Sequence, residues 1–103
     1  MNVRKYRWSK HYESAEEELL SLLQAKNIQA ERWEAEPMEI IDPEVHPEDR
    51  QLWCAEGSII FTINNQRISI QPGDALDIPA NTFHEAVAGI SGCVFYEYAP
   101  SAS

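Results

Sequence analysis

The stretch "QPGDALDIPANTFHEAV", residues 71–87, decides how this chain is read. Pro72 and Gly73 sit where a turn favours them, and "ALDI" after them is a short strand. Pro79 closes that strand. Asn81, the residue next to glycine in its tolerance of positive φ, suits a second turn. His84 then opens another strand-like run, "HEAVA". Strands this short, punctuated by turns, belong to a mainly β domain.

The same rhythm extends in both directions. Upstream lie "QAERWEAE" and "MEII", broken by Pro37, then "QLWCAE", which leads through Gly57 into "SIIFTI". Asn64 and Asn65 turn the chain into "QRISI" as a hairpin, because asparagine accepts positive φ. Downstream, "GCVFYEYA" completes the set. Short strands at this spacing predict a sandwich or barrel. One helix precedes them. Ser14 and Glu17 form a capping-box pattern, and Glu16, Glu17 and Glu18 place negative charge where the helix dipole favours it. Leu19, Leu22 and Leu23 make its packing stripe, and Asn27 is its stop. The expected division is an arm and amphipathic helix over residues 1–30, followed by a barrel over residues 31–103.

The chain has 103 residues, one domain's worth, and its 44% hydrophobic content supports a real core. Its net charge is −9, unevenly spread. Arg4, Lys5, Arg7 and Lys10 are half of the basic residues, and no acid precedes Glu13. The basic segment lacks the apolar stretch of a signal peptide and is expected to lie as an arm or strand on the acidic body or on a partner subunit. So acidic a body repels phosphate, which argues against nucleic acid and anionic membrane as partners. Cys54 and Cys93 do not make a disulfide framework, although a bond between them is open. Buried thiols fit a cytoplasmic protein.

The segment 71–87 resembles the second conserved motif of the cupin superfamily: a glycine, five residues, a proline, a small turn and a histidine. Gly73, Pro79, Asn81 and His84 fall at those positions. Asn81 stands where the family has glycine, and Ala88 stands where it has asparagine. Gly57 matches the closing glycine of the first cupin motif, with the Asn64-Asn65 hairpin between the two motifs. The resemblance covers about residues 32–98. It implies a cupin-type double-stranded β-helix, a jelly-roll-like barrel with one N-terminal helix, often assembled as a homodimer. It also implies a pocket in the barrel mouth where histidines hold a divalent metal. The superfamily spans dioxygenases, isomerases, epimerases, decarboxylases, ligand-binding regulators and storage proteins, so the fold alone does not name a chemistry.

Counted back from Gly57, the stretch "PEVHPEDRQLWCAEG", residues 43–57, departs from its motif twice. The family expects histidines at positions 44 and 46 and a glutamate at 50; here these are Glu44, His46 and Arg50. The ligand set that the resemblance implies is therefore Glu44, His46 and His84. On a strand, residues 44 and 46 point the same way. Two histidines and a carboxylate form a triad that suits iron, manganese, nickel or zinc. Arg50 works against it: a permanent guanidinium charge about 6 Å from a dication costs on the order of 5 kcal/mol at an effective dielectric near 20. Arg50 also offers a salt bridge to Glu44, which would take the anionic ligand from the metal, and Asp49 is then a substitute ligand. Alternatively, Arg50 anchors an anionic substrate through its fork.

Strand parity from Arg50 turns Leu52 and Cys54 toward the barrel interior, where Cys54 can line the pocket. Tyr96 and Tyr98 share a face on the last strand and can offer it hydroxyls. The leading expectation is a pocket for an anionic small molecule built from His46, Arg50 and His84, with Cys54 and Tyr96 as further substrate-binding residues, with or without a metal held by Glu44, His46 and His84. A metal-dependent enzyme of dioxygenase or isomerase type is the alternative, and a non-catalytic structural or regulatory module is the third reading. No residue declares itself a catalytic base.

Overall fold

A computed structural model describes residues 2–9 and 16–100. Ser14, and with it the predicted helix cap, lies outside them. The elements are β1 (Arg4–Arg7), α1 (Glu16–Ala25), β2 (Glu31–Ala35), β3 (Ile40–Glu44), β4 (Arg50–Ile63), β5 (Gln66–Ile70), β6 (Asp74–Ile78) and β7 (His84–Tyr98). All pairings are antiparallel, in the order β1-β6-β4-β7-β2, with β3 added to β7 and β5 to β4.

Two long strands organise everything else. The sequence suggests four short strands from 50–63 and 84–98; the chain builds two continuous ones, each serving two neighbours. The first part of β4 pairs with β6 and its second part with β5, while β7 pairs first with β3 and then with β2. The change of neighbour requires a bend, and glycines supply it. Gly57 and Gly92 both have positive φ, 71° and 77°. The β4–β7 register shifts beside Gly57, as bulged strands do where they turn. The backbones close in so tightly there that a Cβ on Gly57 would stand 2.0 Å from the Gly92 carbonyl oxygen. Asn64 and Asn65, φ 52° and 65°, form the hairpin turn between β4 and β5, and Asn27 ends α1 at φ 56°.

The core has two parts, one on each side of the β4–β7 sheet. Inside the barrel, Leu52, Cys54, Ile59, Phe61, Ile63, Ile70, Leu76, Ile78, Ala86 and Phe95 pack together. On the outer side, Leu19 and Leu23 of α1 cover Trp53, Ala55, Ala75, Val94 and Tyr96. Leu19 is 0% and Leu23 4% exposed, so each contributes roughly 1.5–3 kcal/mol of apolar burial. Alternate residues of β4 therefore divide between the two cores, with Leu52 and Cys54 inward and Trp53 outward, as parity from Arg50 predicts.

The basic N-terminal segment lies on the acidic body. As β1 it pairs with β6, bringing Arg4 to 3.4 Å from Asp77 and Lys5 and Arg7 to 3.7 and 3.2 Å from Asp74. Asp74 also accepts the Gln71 amide at 3.0 Å, closing the turn that begins the decisive stretch. These cations are half exposed, so each pair adds little to stability. Among the described residues no helix is long and apolar enough to cross a membrane.

Candidate metal centre in the barrel mouth

Glu44 is the last residue of β3 and His84 the first of β7, and the register sets them directly opposite one another. Ile41, three residues earlier, also faces the barrel. Two inward residues at odd spacing require an irregularity, and the β3 register shifts between Ile41 and Glu44, around Pro43. His46 does not continue the strand; it lies in the segment after it. Strand alternation is therefore not what aims it. Instead the Asn81 amide donates to the His46 carbonyl at 2.7 Å, and the Ala80 amide donates to Asp49 Oδ1 at 2.8 Å. The Pro79–Asn81 turn thus clamps the 46–49 segment, with Asn81 at φ 60°.

The result is a cluster. Glu44 Oε2 lies 3.1 Å from His46 Nε2 and 3.9 Å from His84 Nε2, and the imidazole centroids are 5.3 Å apart. One ligand atom from each residue falls within 4.8 Å of the other two. His84 is buried, 7% exposed, against Phe61, while half of the Glu44 side chain meets solvent. His84 Nδ1 is 3.0 Å from the Thr82 carbonyl oxygen. A carbonyl can only accept, so Nδ1 carries the proton and Nε2 presents its lone pair to the cluster. His46 Nε2 is buried and, despite its closeness to Glu44, makes no hydrogen bond. A buried, unsatisfied ring nitrogen, an oriented lone pair and a carboxylate on one point fit a divalent metal.

Arg50 is placed otherwise than the sequence suggests. Its guanidinium bonds to Glu97 and, at 2.8 Å, to Glu48; no contact to Glu44 forms. Burial opposes its charge, yet the Glu48 hydrogen bond and the Glu97 charge outweigh burial and hold its pKa above the ordinary value. Glu44 stays with the histidines. Asp49 is occupied by the Ala80 amide and is not in the cluster, so it is no substitute ligand.

Above the cluster opens a cavity of about 480 Å³ lined by Trp33, Ile41, Glu44, His46, Arg50, Leu52, Phe61, His84, Phe95 and Glu97, among others. Cys54 does not line it. It faces inward as expected but lies beneath the floor, in contact with Cys93. Tyr96 does not line it either. Its hydroxyl points to the helix side and donates to Glu16 at 2.5 Å, while Arg32 donates to the same oxygen at 2.7 Å. In the second half of β7 the residues facing the cavity are Phe95 and Glu97, the opposite parity. Glu48 and Glu97, the partners that settle Arg50, carried no signal in the sequence beyond the alternation of Glu97 with Phe95.

No protein-family model matches this sequence, and no curated protein does. Solved structures do. A DUF861-family protein from Thermotoga maritima superposes with a TM-score of 0.68 at 14% identity, covering 95% of this chain and 99% of that one. A cupin superfamily protein from Desulfitobacterium hafniense gives 0.63 at 18% identity, covering 95% of this chain and 76% of that one. The KdgF protein of a Halomonas species gives 0.62 at 17% identity, over 95% and 78%. The chain has the fold of the small cupins.

Proposed function

We propose that this protein binds one divalent transition metal through Glu44, His46 and His84, and uses it to hold a small molecule in the barrel mouth. The carrying observation is the convergence of three ligand atoms within 4.8 Å, one of them a buried nitrogen without a hydrogen bond. The donor set of two imidazoles and one carboxylate suits iron, manganese, nickel or zinc and leaves coordination positions open. The metal, when bound, would supply Lewis acidity to a ligand oxygen. The protein's own residues supply the rest: Thr82 fixes the His84 tautomer, Phe61, Leu52 and Phe95 exclude water, and the Arg50–Glu48–Glu97 group forms a polar wall.

Charge decides how an anionic ligand would enter. Glu31, Glu34, Glu39, Asp42, Glu85 and Glu97 line the cavity alongside Glu44, and Arg50, the one Arg or Lys among the described residues that line it, is engaged by two carboxylates. Anion binding therefore depends on the metal's charge and not on Arg50. Protein purified without a histidine tag or chelator should take up about one equivalent of metal by elemental analysis. His84→Ala and His46→Ala should each lower affinity at least tenfold. Less than a tenth of an equivalent after dialysis against iron, manganese, nickel and zinc would defeat the proposal. With metal bound, small carboxylic acids should raise the Tm; stabilisation of the metal-free protein would refute the charge argument.

A further inference from the structure

Two thiols meet beneath the cavity floor, and neither belongs to the metal centre. Cys54 on β4 and Cys93 on β7 are 0% and 4% exposed, and their sulfurs are 3.8 Å apart. They sit on the two strands that organise the barrel, beside the close approach of Gly57 and Gly92. Cys93 is paired in register with Gly57, and Cys54, on the other side of a register shift in β4, with Phe95. The other polar atoms near Cys54 Sγ are backbone carbonyls, those of Glu56 and Gly57 at 3.5 and 4.0 Å. No ligand in the cavity reaches either sulfur, since neither residue lines it. Each thiol's available reaction partner is the other.

We propose that Cys54 and Cys93 are a disulfide-forming pair whose state is set while the barrel folds and is then sealed in. A small disulfide such as glutathione disulfide is the oxidant. One protein thiolate attacks a sulfur of it, forming a mixed disulfide and releasing one glutathione thiolate. The second protein thiolate displaces the other glutathione, so the two protein thiol protons end on two glutathione thiols. In the folded chain this is slow for two reasons. The oxidant cannot reach the sulfurs, and the Cys93 contact together with burial pushes the Cys54 thiol well above its ordinary pKa, leaving almost no thiolate. In the unfolded chain both obstacles are absent. Once made, the bond closes a long loop, 39 residues apart in sequence, across the β4–β7 bend.

The test compares two routes with the full chain. Reduced, unfolded protein is refolded in a glutathione/glutathione disulfide buffer, and reduced, folded protein is incubated in the same buffer. Both are alkylated and weighed intact. Refolding should yield chain with no alkylatable thiol and a mass lower by two hydrogens, with a Tm raised by about 10 °C. The folded sample should oxidise at least about tenfold more slowly. A Cys54→Ala/Cys93→Ala double variant should show no Tm difference between the two routes. Free thiols or stable glutathione adducts after refolding would overturn the pair. Equal rates by the two routes would overturn the sealing.

Discussion

Replacing Arg50 by methionine separates its two possible roles. Methionine keeps most of the apolar stem, so the change removes charge and hydrogen bonds more than packing. It leaves Glu48 and Glu97 facing each other without a cation. Their side chains are 28% and 18% exposed and that of Arg50 is 21%, so the group is mostly but not wholly withdrawn from water. Breaking a fully buried pair by deleting one partner costs about 3–5 kcal/mol. Water reaching a fifth of these groups screens part of that, leaving about 2–3 kcal/mol. For a domain of this size the loss corresponds to a fall in Tm of about 10–15 °C. Metal binding should survive, because Arg50 touches none of Glu44, His46 and His84, and losing a cation near a dication removes repulsion. The assay is urea denaturation followed by circular dichroism, beside a metal titration of the same preparations. A variant as stable as the wild type would show that the ion-pair group contributes nothing. A stable variant without metal would show that Arg50 positions the ligands, which the geometry does not provide for.

Other substitutions test other parts. Glu44→Gln should keep the fold and weaken metal binding by a factor of ten or more, since it removes the anionic donor, and an unchanged affinity would take Glu44 out of the ligand set. Tyr96→Phe should cost about 1 kcal/mol at pH 7 and leave metal binding unchanged. Arg32 first, and then Tyr96, hold the Glu16 carboxyl below its ordinary value of 4.5. A lowered folded-state pKa stabilises above the unfolded value and loses that contribution as pH falls through the folded one. The Tyr96→Phe difference in urea midpoint should therefore shrink from pH 7 to pH 3; a constant difference would deny the link to Glu16. Gly57→Ala should destabilise by about 2 kcal/mol or more, because it forces a side chain into positive φ and against the Gly92 carbonyl.

Sequence alone determined the fold and most of the cluster. Turn residues are local: Pro72, Gly73, Asn64, Asn65 and Asn81 specify their backbone conformations with little help from the rest of the chain. Alternation along β4 also held, because Arg50 and the run after it give one face a distinct character. The resemblance to the cupin motifs named Glu44, His46 and His84, and the structure brings them together. Three things needed tertiary structure. The parity of β7 was ambiguous because that strand is buried on both faces, by the barrel core on one side and α1 on the other; "CVFY" is apolar in both registers. That ambiguity misplaced Tyr96 and hid Glu97. The aim of His46 came from hydrogen bonds to a turn more than thirty residues away, which no local pattern encodes. The partner of Arg50 was a choice among carboxylates in an acidic chain: strand register, not residue type, put Glu97 within its reach and Glu44 opposite His84, while Glu48 reaches it from the segment just before β4.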